Sequence, residues 1–193
     1  MQRTLAVLML AAALGCASTG TPVERGQWVS GASALYEIQA TGFSWQRMPA
    51  DSEDRHKADL ALRDSPGSAL YVYLYERSAR SVEELVNIRR KSVQAGLVVQ
   101  SRIERREFLD GADLVPVVWV QYEVGDGALG HAFYSTAIVD TGAKLIEIVA
   151  YNNGTGKGPL GNARLERVVR SIRLVPPVQA APVAVSAPRS DPT

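Results

Sequence analysis

Histidine and cysteine, the side chains that most often bind zinc, are scarce in this 193-residue chain, which has one cysteine and two histidines. His56 and His131 are far apart in the sequence, and neither belongs to an HxxxH or HExxH pattern. A zinc site needs three or four converging ligands, drawn mainly from His and Cys. The sequence therefore predicts no metal centre.

Two stretches match catalytic loops only in part. Residues 152–158 (NNGTGKG) suggest a phosphate-binding loop, but Tyr151 stands where the first glycine is needed and Gly158 where Ser or Thr is needed. Ser33 lies in the sequence Gly-Ala-Ser-Ala-Leu, which lacks the second glycine of the G-x-S-x-G nucleophile motif. We therefore expect no catalytic residue, no cofactor and no enzymatic activity.

The single cysteine closes an apolar segment near the N-terminus. Arg3 precedes the ten-residue run LAVLMLAAAL, and Gly15 separates this run from Cys16. A membrane-spanning helix needs about 20 apolar residues, whereas a run of this length is typical of the core of a secretory signal peptide. One interpretation is an ordinary signal peptide with a cysteine nearby, and another is a short buried helix.

The sequence Ala13-Leu14-Gly15-Cys16 resembles the lipobox of bacterial lipoproteins. The resemblance implies that the signal peptide is removed before Cys16 and that the Cys16 thiol and the new N-terminus are acylated. More than one acyl chain anchors a protein stably in a membrane. Ala17, rather than Asp, follows the cysteine, and by the sorting rule of this family this implies the outer membrane. We expect the domain to face the periplasm.

Composition divides the chain into four segments. We expect a signal peptide over residues 1–15, a lipidated tether of small polar residues over 16–33, a single domain over 34–175 and a Pro/Ala-rich disordered tail over 176–193. The middle segment is long enough to bury a core of its own. Because 21 basic residues nearly balance 20 acidic ones, no nucleic-acid partner is expected.

Hydrophobic periodicity in the middle segment switches between strand and helix patterns. Short strands are predicted over residues 36–40 and 59–63, and residues 69–76 (ALYVYLYE) alternate clearly as a strand. A capping box at residues 81–84 (SVEE) starts a helix that ends near Gly96. Further strands are predicted over residues 98–109, 114–124, 131–139 and 145–151, and a last amphipathic helix over about residues 163–174. This order predicts an α+β fold, an antiparallel sheet of about six or seven strands with amphipathic helices packed on it.

The order of elements resembles the PsbP-like α/β/α sandwich, whose namesake is an extrinsic subunit of photosystem II. The resemblance covers about residues 36–175 and rests on the aromatic residues Phe43 and Trp45, on the helix start SVEEL at residues 81–85 and on VVRSIRL at residues 168–174. The superfamily includes bacterial lipoproteins of unknown role and proteins that bind other proteins. The resemblance therefore implies a non-catalytic module and transfers no catalytic residues.

The strand over residues 69–76 supplies a candidate binding surface. Tyr71, Tyr73 and Tyr75 share one face of this strand, and tyrosine suits interfaces because its ring packs while its hydroxyl finds a partner or water. Either helices cover this face, or it is partly open. We expect a membrane-anchored accessory module for a protein partner. The alternative is a carrier or sensor that binds a small ligand between sheet and helix.

Basic residues also recur on both predicted helices. Arginines stand at positions 89 and 90 of the first and at positions 164, 167, 170 and 173 of the last. Acidic residues are interspersed among them, so a solvated face is a simpler interpretation than an anion-binding site.

Overall fold

The structure is a computed structural model that describes residues 20–41, 44–49, 57–65, 68–96, 98–109, 115–126, 130–152, 163 and 166–175. The predicted signal peptide, Cys16, Phe43, His56 and the predicted tail lie outside these ranges. Within the described residues, no helix is both long enough and apolar enough to cross a membrane.

Eight antiparallel strands form one large sheet. In spatial order they are β1 (Thr21–Pro22), β4 (Gln46–Arg47), β5 (Leu60–Ser65), β6 (Ser68–Glu76), β10 (Lys144–Asn152), β9 (Gly130–Asp140), β8 (Val115–Asp126) and β7 (Val99–Leu109). The five long strands lie within two residues of their predicted bounds. Alternating side chains make these strands readable from sequence because one set faces each side of the sheet.

A second, small sheet covers one face of the large sheet. Its strands are β2 (Trp28–Ser30), β3 (Tyr36–Gln39) and β11 (Arg173–Leu174), in the spatial order β11-β3-β2. Val29, Tyr36 and Ile38 are buried in the core between the two sheets. The predicted fold class, an α+β sheet with helices packed on it, is therefore wrong. The described protein is mostly β and consists of two antiparallel sheets with little helix.

The prediction failed because the strands of the small sheet have only two to four residues each. Two of them lie in segments that were assigned otherwise, β2 in the predicted tether and β11 in the predicted last helix. The backbone N–H of Gln39 donates to Ser171 Oγ at 2.8 Å, and Arg173 Nε donates to Glu37 at 2.7 Å. These distant partners end the helical segment seen at residues 166–170, so the chain continues as a strand.

Part of the predicted tether belongs to the folded domain. β1 pairs with β4, and β2 pairs with β3. The residues that follow β2 are held by Asp59. The backbone N–H of Ser33 donates to Asp59 Oδ1 at 2.9 Å, and the Tyr36 hydroxyl donates to Asp59 Oδ2 at 2.9 Å. Gly31 fits beside this carboxylate because a Cβ at this position would lie 1.7 Å from Asp59 Oδ2. The folded domain therefore begins before the predicted boundary at residue 34.

The helix α1 (Val82–Gly96) has the predicted start and end. Ser81 Oγ accepts a hydrogen bond from the backbone N–H of Glu84 at 3.1 Å, which is one half of the predicted capping box. Three apolar side chains of α1 are buried against the second face of the large sheet: Leu85, Val86 and Val93. This face is therefore covered by a helix, whereas the opposite face is covered mainly by the small sheet.

Candidate functional site

Tyrosines are concentrated on the face of the large sheet that α1 partly covers. On β6, Leu70, Val72 and Leu74 pack toward the small sheet, so the alternating tyrosines face the other way, as the sequence predicts. Cross-strand pairing places further tyrosines from β9 and β10 beside them. We call five of these side chains the tyrosine face: Tyr71, Tyr73, Tyr75, Tyr134 and Tyr151.

Four of the rings form a continuous stacked strip across β6, β10 and β9. The Tyr71 ring lies 6.4 Å from the rings of Tyr73 and Tyr151, and the Tyr151 ring lies 6.1 Å from that of Tyr134, measured between centroids. Pairs of aromatic rings at such distances contribute about 0.5–1.5 kcal/mol each beyond the burial of their area. The strip is therefore a rigid surface rather than a set of independent side chains.

A buried ion pair connects α1 to this surface. Arg89 donates to Glu147 through Nε at 2.6 Å and through a terminal nitrogen at 2.8 Å, and Glu147 is only 1% exposed. The Tyr75 hydroxyl donates to the same carboxylate at 2.9 Å. The Arg89 guanidinium also lies 5.3 Å above the centre of the Tyr73 ring, within the range of a cation–π interaction. Arg89 therefore fixes both the carboxylate and the adjacent rings.

Four hydroxyls of the tyrosine face have a raised pKa. Burial, followed by the charge on Glu147 and the hydrogen bond to it, raises the pKa of Tyr75 to about 12. Burial, with a contribution from Tyr151, raises the pKa of Tyr71 to about 12. Burial also raises the pKa of Tyr73 and of Tyr134. The raised pKa keeps these four hydroxyls uncharged to a higher pH than in a free tyrosine, and the Tyr75 hydroxyl donates its hydrogen bond to Glu147.

The tyrosine face is covered at one side and partly open at the other. The apolar residues of α1 pack with side chains of β8, β9 and β10, and Tyr122 is buried in that contact. Tyr71 is 8% exposed, whereas Tyr73, Tyr75, Tyr134 and Tyr151 are partly exposed. The ring strip thus lies beside α1, with solvent access at Tyr73, Tyr134 and Tyr151 but not at the buried Tyr71.

Sequence reasoning missed four members of this site: Arg89, Tyr134, Glu147 and Tyr151. Their signal was present in part, because alternation within β10 puts Glu147 and Tyr151 on the same face of that strand. A glutamate between Ile146 and Ile148 at an inward position also indicates a buried partner. The order β6-β10-β9, which brings these strands together, is not encoded in any local pattern.

The remaining candidate features do not converge on this site. His131 lies in β9 near its start, and residues 153–158 of the glycine-rich stretch are outside the described residues. The described arginines of the last helix are largely paired with carboxylates: Arg170 binds Glu166 at 2.9 Å and Glu107 at 2.7 Å. Among the described residues, no three His, Cys, Asp or Glu side chains converge as a metal site would require.

The contact between α1 and the sheet is filled by side chains. Leu85 and Val86 of the helix pack with Val120, Ile138 and Leu145 of the sheet, and all five are buried. A ligand cavity between sheet and helix would require space at this contact. The described helix–sheet contact therefore gives no support to the small-ligand alternative.

Comparisons with known proteins identify the fold. No protein-family model matches the chain, and no curated protein matches it. The solution structure of cyanobacterial PsbP (CyanoP) from Synechocystis sp. PCC 6803 is similar, with a TM-score of 0.54 and 16% sequence identity over 86% of this chain and 99% of that chain. The fold is therefore PsbP-like, as the resemblance in sequence implies.

Two structures of Mog1 show a weaker likeness. The Saccharomyces cerevisiae Ran-binding protein Mog1p has a TM-score of 0.49 and 9% identity, over 81% of this chain and 96% of that chain. A point mutant of Mog1 gives a TM-score of 0.49 and 9% identity, over 79% of this chain and 97% of that chain. A TM-score of 0.49 is too low to assign a shared fold.

Proposed function

We propose that this chain is a non-catalytic accessory module of the bacterial cell envelope, anchored by lipid at Cys16, that binds a protein partner through the tyrosine face. The observation that carries the proposal is the partly exposed strip of stacked tyrosines held by Arg89. Tyrosine and arginine are enriched at the centres of protein interfaces, where fixed rings bind without much loss of side-chain freedom.

The rigidity of the strip supports a binding role. Its rings stack on one another, and Arg89 is locked by a buried carboxylate rather than free in solvent. A partner that docks here would order few side chains, so little entropy would be lost on association. Its contacts would be ring faces together with neutral hydroxyl donors.

Photocrosslinking from the strip tests the proposed binding surface. We would replace Tyr73 or Tyr134 by benzoylphenylalanine in the full chain and irradiate intact cells. Ile88, which is 40% exposed on α1, supplies the matched control position. We expect one defined protein adduct from positions 73 and 134 and none from position 88. Equal adducts from all three positions, or none from the strip, would contradict the assignment.

Truncation of one ring then measures the contribution of the surface. Tyr73→Ala should weaken partner binding at least about tenfold, while Tyr73→Phe, which keeps the ring, should retain most of it. Because Tyr73 is partly exposed, we expect Tyr73→Ala to lower the free energy of unfolding by less than the 3–5 kcal/mol typical of buried rings. Unchanged binding by Tyr73→Ala would remove this surface from consideration.

The proposed anchor has a separate test. Cys16→Ser should abolish labelling by radioactive fatty acid and should move the protein from the detergent phase to the aqueous phase, since no acyl chain would remain to hold it. Retention of the variant in the membrane fraction at the wild-type level would contradict lipidation. Such a result would leave the tyrosine face untouched, because the two assignments rest on different residues.

A further inference from the structure

Exposed apolar side chains are concentrated at one edge of the large sheet. β7 is the last strand in the spatial order, and within the described part of the chain no strand pairs with its outer side. The three most exposed large hydrophobic side chains of the described residues lie on β7 or directly before it: Val98 at 64%, Phe108 at 57% and Ile103 at 54%. Such an edge presents backbone donors and acceptors that another strand can pair with.

The strand at the opposite edge of the sheet is much shorter and offers fewer backbone groups for pairing. β1 has two residues, whereas β7 has 11. Charged side chains often protect a long edge against pairing, and β7 carries several. The distribution of these charges therefore decides whether a second copy of β7 can lie alongside.

Most registers of β7 against itself are disfavoured by charge. When two copies pair antiparallel about a twofold axis perpendicular to the sheet, one residue lies opposite itself. Like charges placed directly opposite each other are destabilising. This disfavours the registers centred on the charged residues of β7: Arg102, Glu104, Arg105, Arg106 and Glu107. Registers centred near either end of β7 overlap by five residues at most.

The register centred on Ile103 avoids both problems. It places Ile103 opposite itself and Arg102, which also pairs with Glu104 of its own strand, opposite Glu104 of the second copy. This charge pair between copies occurs twice because of the twofold axis. Ser101 lies opposite Arg105 of the second copy, and no like charges face each other along the strand. We propose that β7 pairs with β7 of a second copy of this chain about a twofold axis at Ile103.

The spacing of the exposed apolar residues fits the same axis. Val98 lies five positions before Ile103 and Phe108 lies five positions after it. Val98 of each copy therefore approaches Phe108 of the other copy. The pairing of β7 with β8 shifts register between Val99 and Ser101, and the regular ladder with the second copy ends at that irregularity. Because the outer edge of β7 is paired in this contact, no further copy can add to it, and the assembly closes as a dimer.

Cysteine crosslinking in native membranes tests the axis directly. Residues directly opposite in an antiparallel pair have Cβ atoms about 4.5–5.5 Å apart, so Ile103→Cys should form a disulfide-linked dimer rapidly on mild oxidation. Val98→Cys is the matched control, since Val98 is more exposed but lies about 33 Å from its own copy in this register. Wild type measures any background from Cys16. Equal crosslinking of the two variants would overturn the proposal.

Charge reversal tests the register in solution. Arg102→Glu and Glu104→Arg should each raise the dimer dissociation constant at least about tenfold, because each places like charges opposite each other twice. The double variant Arg102→Glu with Glu104→Arg should restore dimerisation, as measured by analytical ultracentrifugation. Thermal unfolding of each variant separates this effect from loss of the fold. The register would be refuted if the double variant dimerised as weakly as the single variants. It would also be refuted if none of the three variants changed the dimer dissociation constant.

Discussion

Removing the Arg89 side chain should be one of the most destabilising changes at the tyrosine face. Arg89 supplies two charged hydrogen bonds to Glu147, which is 1% exposed. Arg89→Ala leaves that carboxylate buried, with the Tyr75 hydroxyl as its remaining described partner. Removal of one member of a buried ion pair costs about 3–5 kcal/mol. Since Arg89 is itself partly exposed and water can enter, we expect the lower end, about 3 kcal/mol.

Urea unfolding at neutral pH measures this loss, which is a large share of the roughly 5–15 kcal/mol that stabilises a domain. Arg80→Ala is the control, because Arg80 pairs with Glu84 in solvent and such pairs contribute about 0–1 kcal/mol. The double variant Arg89→Leu with Glu147→Leu should recover most of the loss, since an apolar pair needs no charged partner. A cost below about 1 kcal/mol for Arg89→Ala, or a double variant as unstable as the sum of its singles, would refute the reasoning.

The pKa of Tyr75 is raised from 10.0 to about 12 in the folded protein. The stability that this shift contributes is therefore fully present below pH 10 and is lost as the pH rises through 12. In thermal melts over this pH range, Tyr75→Phe should lose less stability than wild type. Gly31→Ala would bring a Cβ to 1.7 Å from Asp59 Oδ2 and to 2.5 Å from the Tyr36 hydroxyl oxygen and should cost about 2 kcal/mol in urea unfolding. The cost should be smaller in an Asp59→Ala background but should not vanish, because the Tyr36 hydroxyl still crowds the new methyl group. Val169→Asp would bury an unpaired carboxylate in the core and should cost several kcal/mol. Arg170→Asp should cost about 1 kcal/mol at low salt and less at high salt, because the new carboxylate faces Glu107 and Glu166. Equal costs at position 169 and at position 170 would contradict the assigned faces.

The elements with a strong local pattern were predictable. α1 combines a capping box with apolar residues at helical spacing, and both ends were assigned correctly from sequence. The tyrosine side of β6 was predictable for a similar reason, since alternation separates Tyr71, Tyr73 and Tyr75 from the leucines and valine between them. Local sequence therefore determined which residues share a face, although it did not determine what lies opposite them.

The elements defined by distant partners were not predictable. β2 and β11 are held by pairing with β3 and by contacts such as Arg173 with Glu37, and neither strand is long enough to show a period. The pairing of Arg89 with Glu147 has the same character, because it joins α1 to β10 across more than fifty residues of chain. Such contacts depend on strand order, which a single sequence leaves open.

The proposed anchor and the proposed dimer together limit how the protein can sit on a membrane. With the lipid on Cys16, the four residue steps to Gly20 span at most about 14 Å, so β1 lies close to the bilayer. The sheet extends from β1 to β7 over about 34 Å. In the dimer the two β1 edges lie at opposite ends, so both anchors reach one bilayer when the twofold axis stands roughly normal to it.

One face of the sheet must then face the lipid, and a tyrosine face that binds a protein has to point away. The small sheet is therefore expected at the bilayer, where the exposed ring of Trp28 would lie at the interface that tryptophan favours. Trp28 is 38% exposed, whereas the other two tryptophans, Trp45 and Trp119, are buried. Brominated lipids in proteoliposomes should therefore quench a part of the fluorescence that disappears in Trp28→Phe. Equal quenching in wild type and Trp28→Phe would show that the small sheet does not face the membrane, and would set the proposed dimer against the proposed anchor.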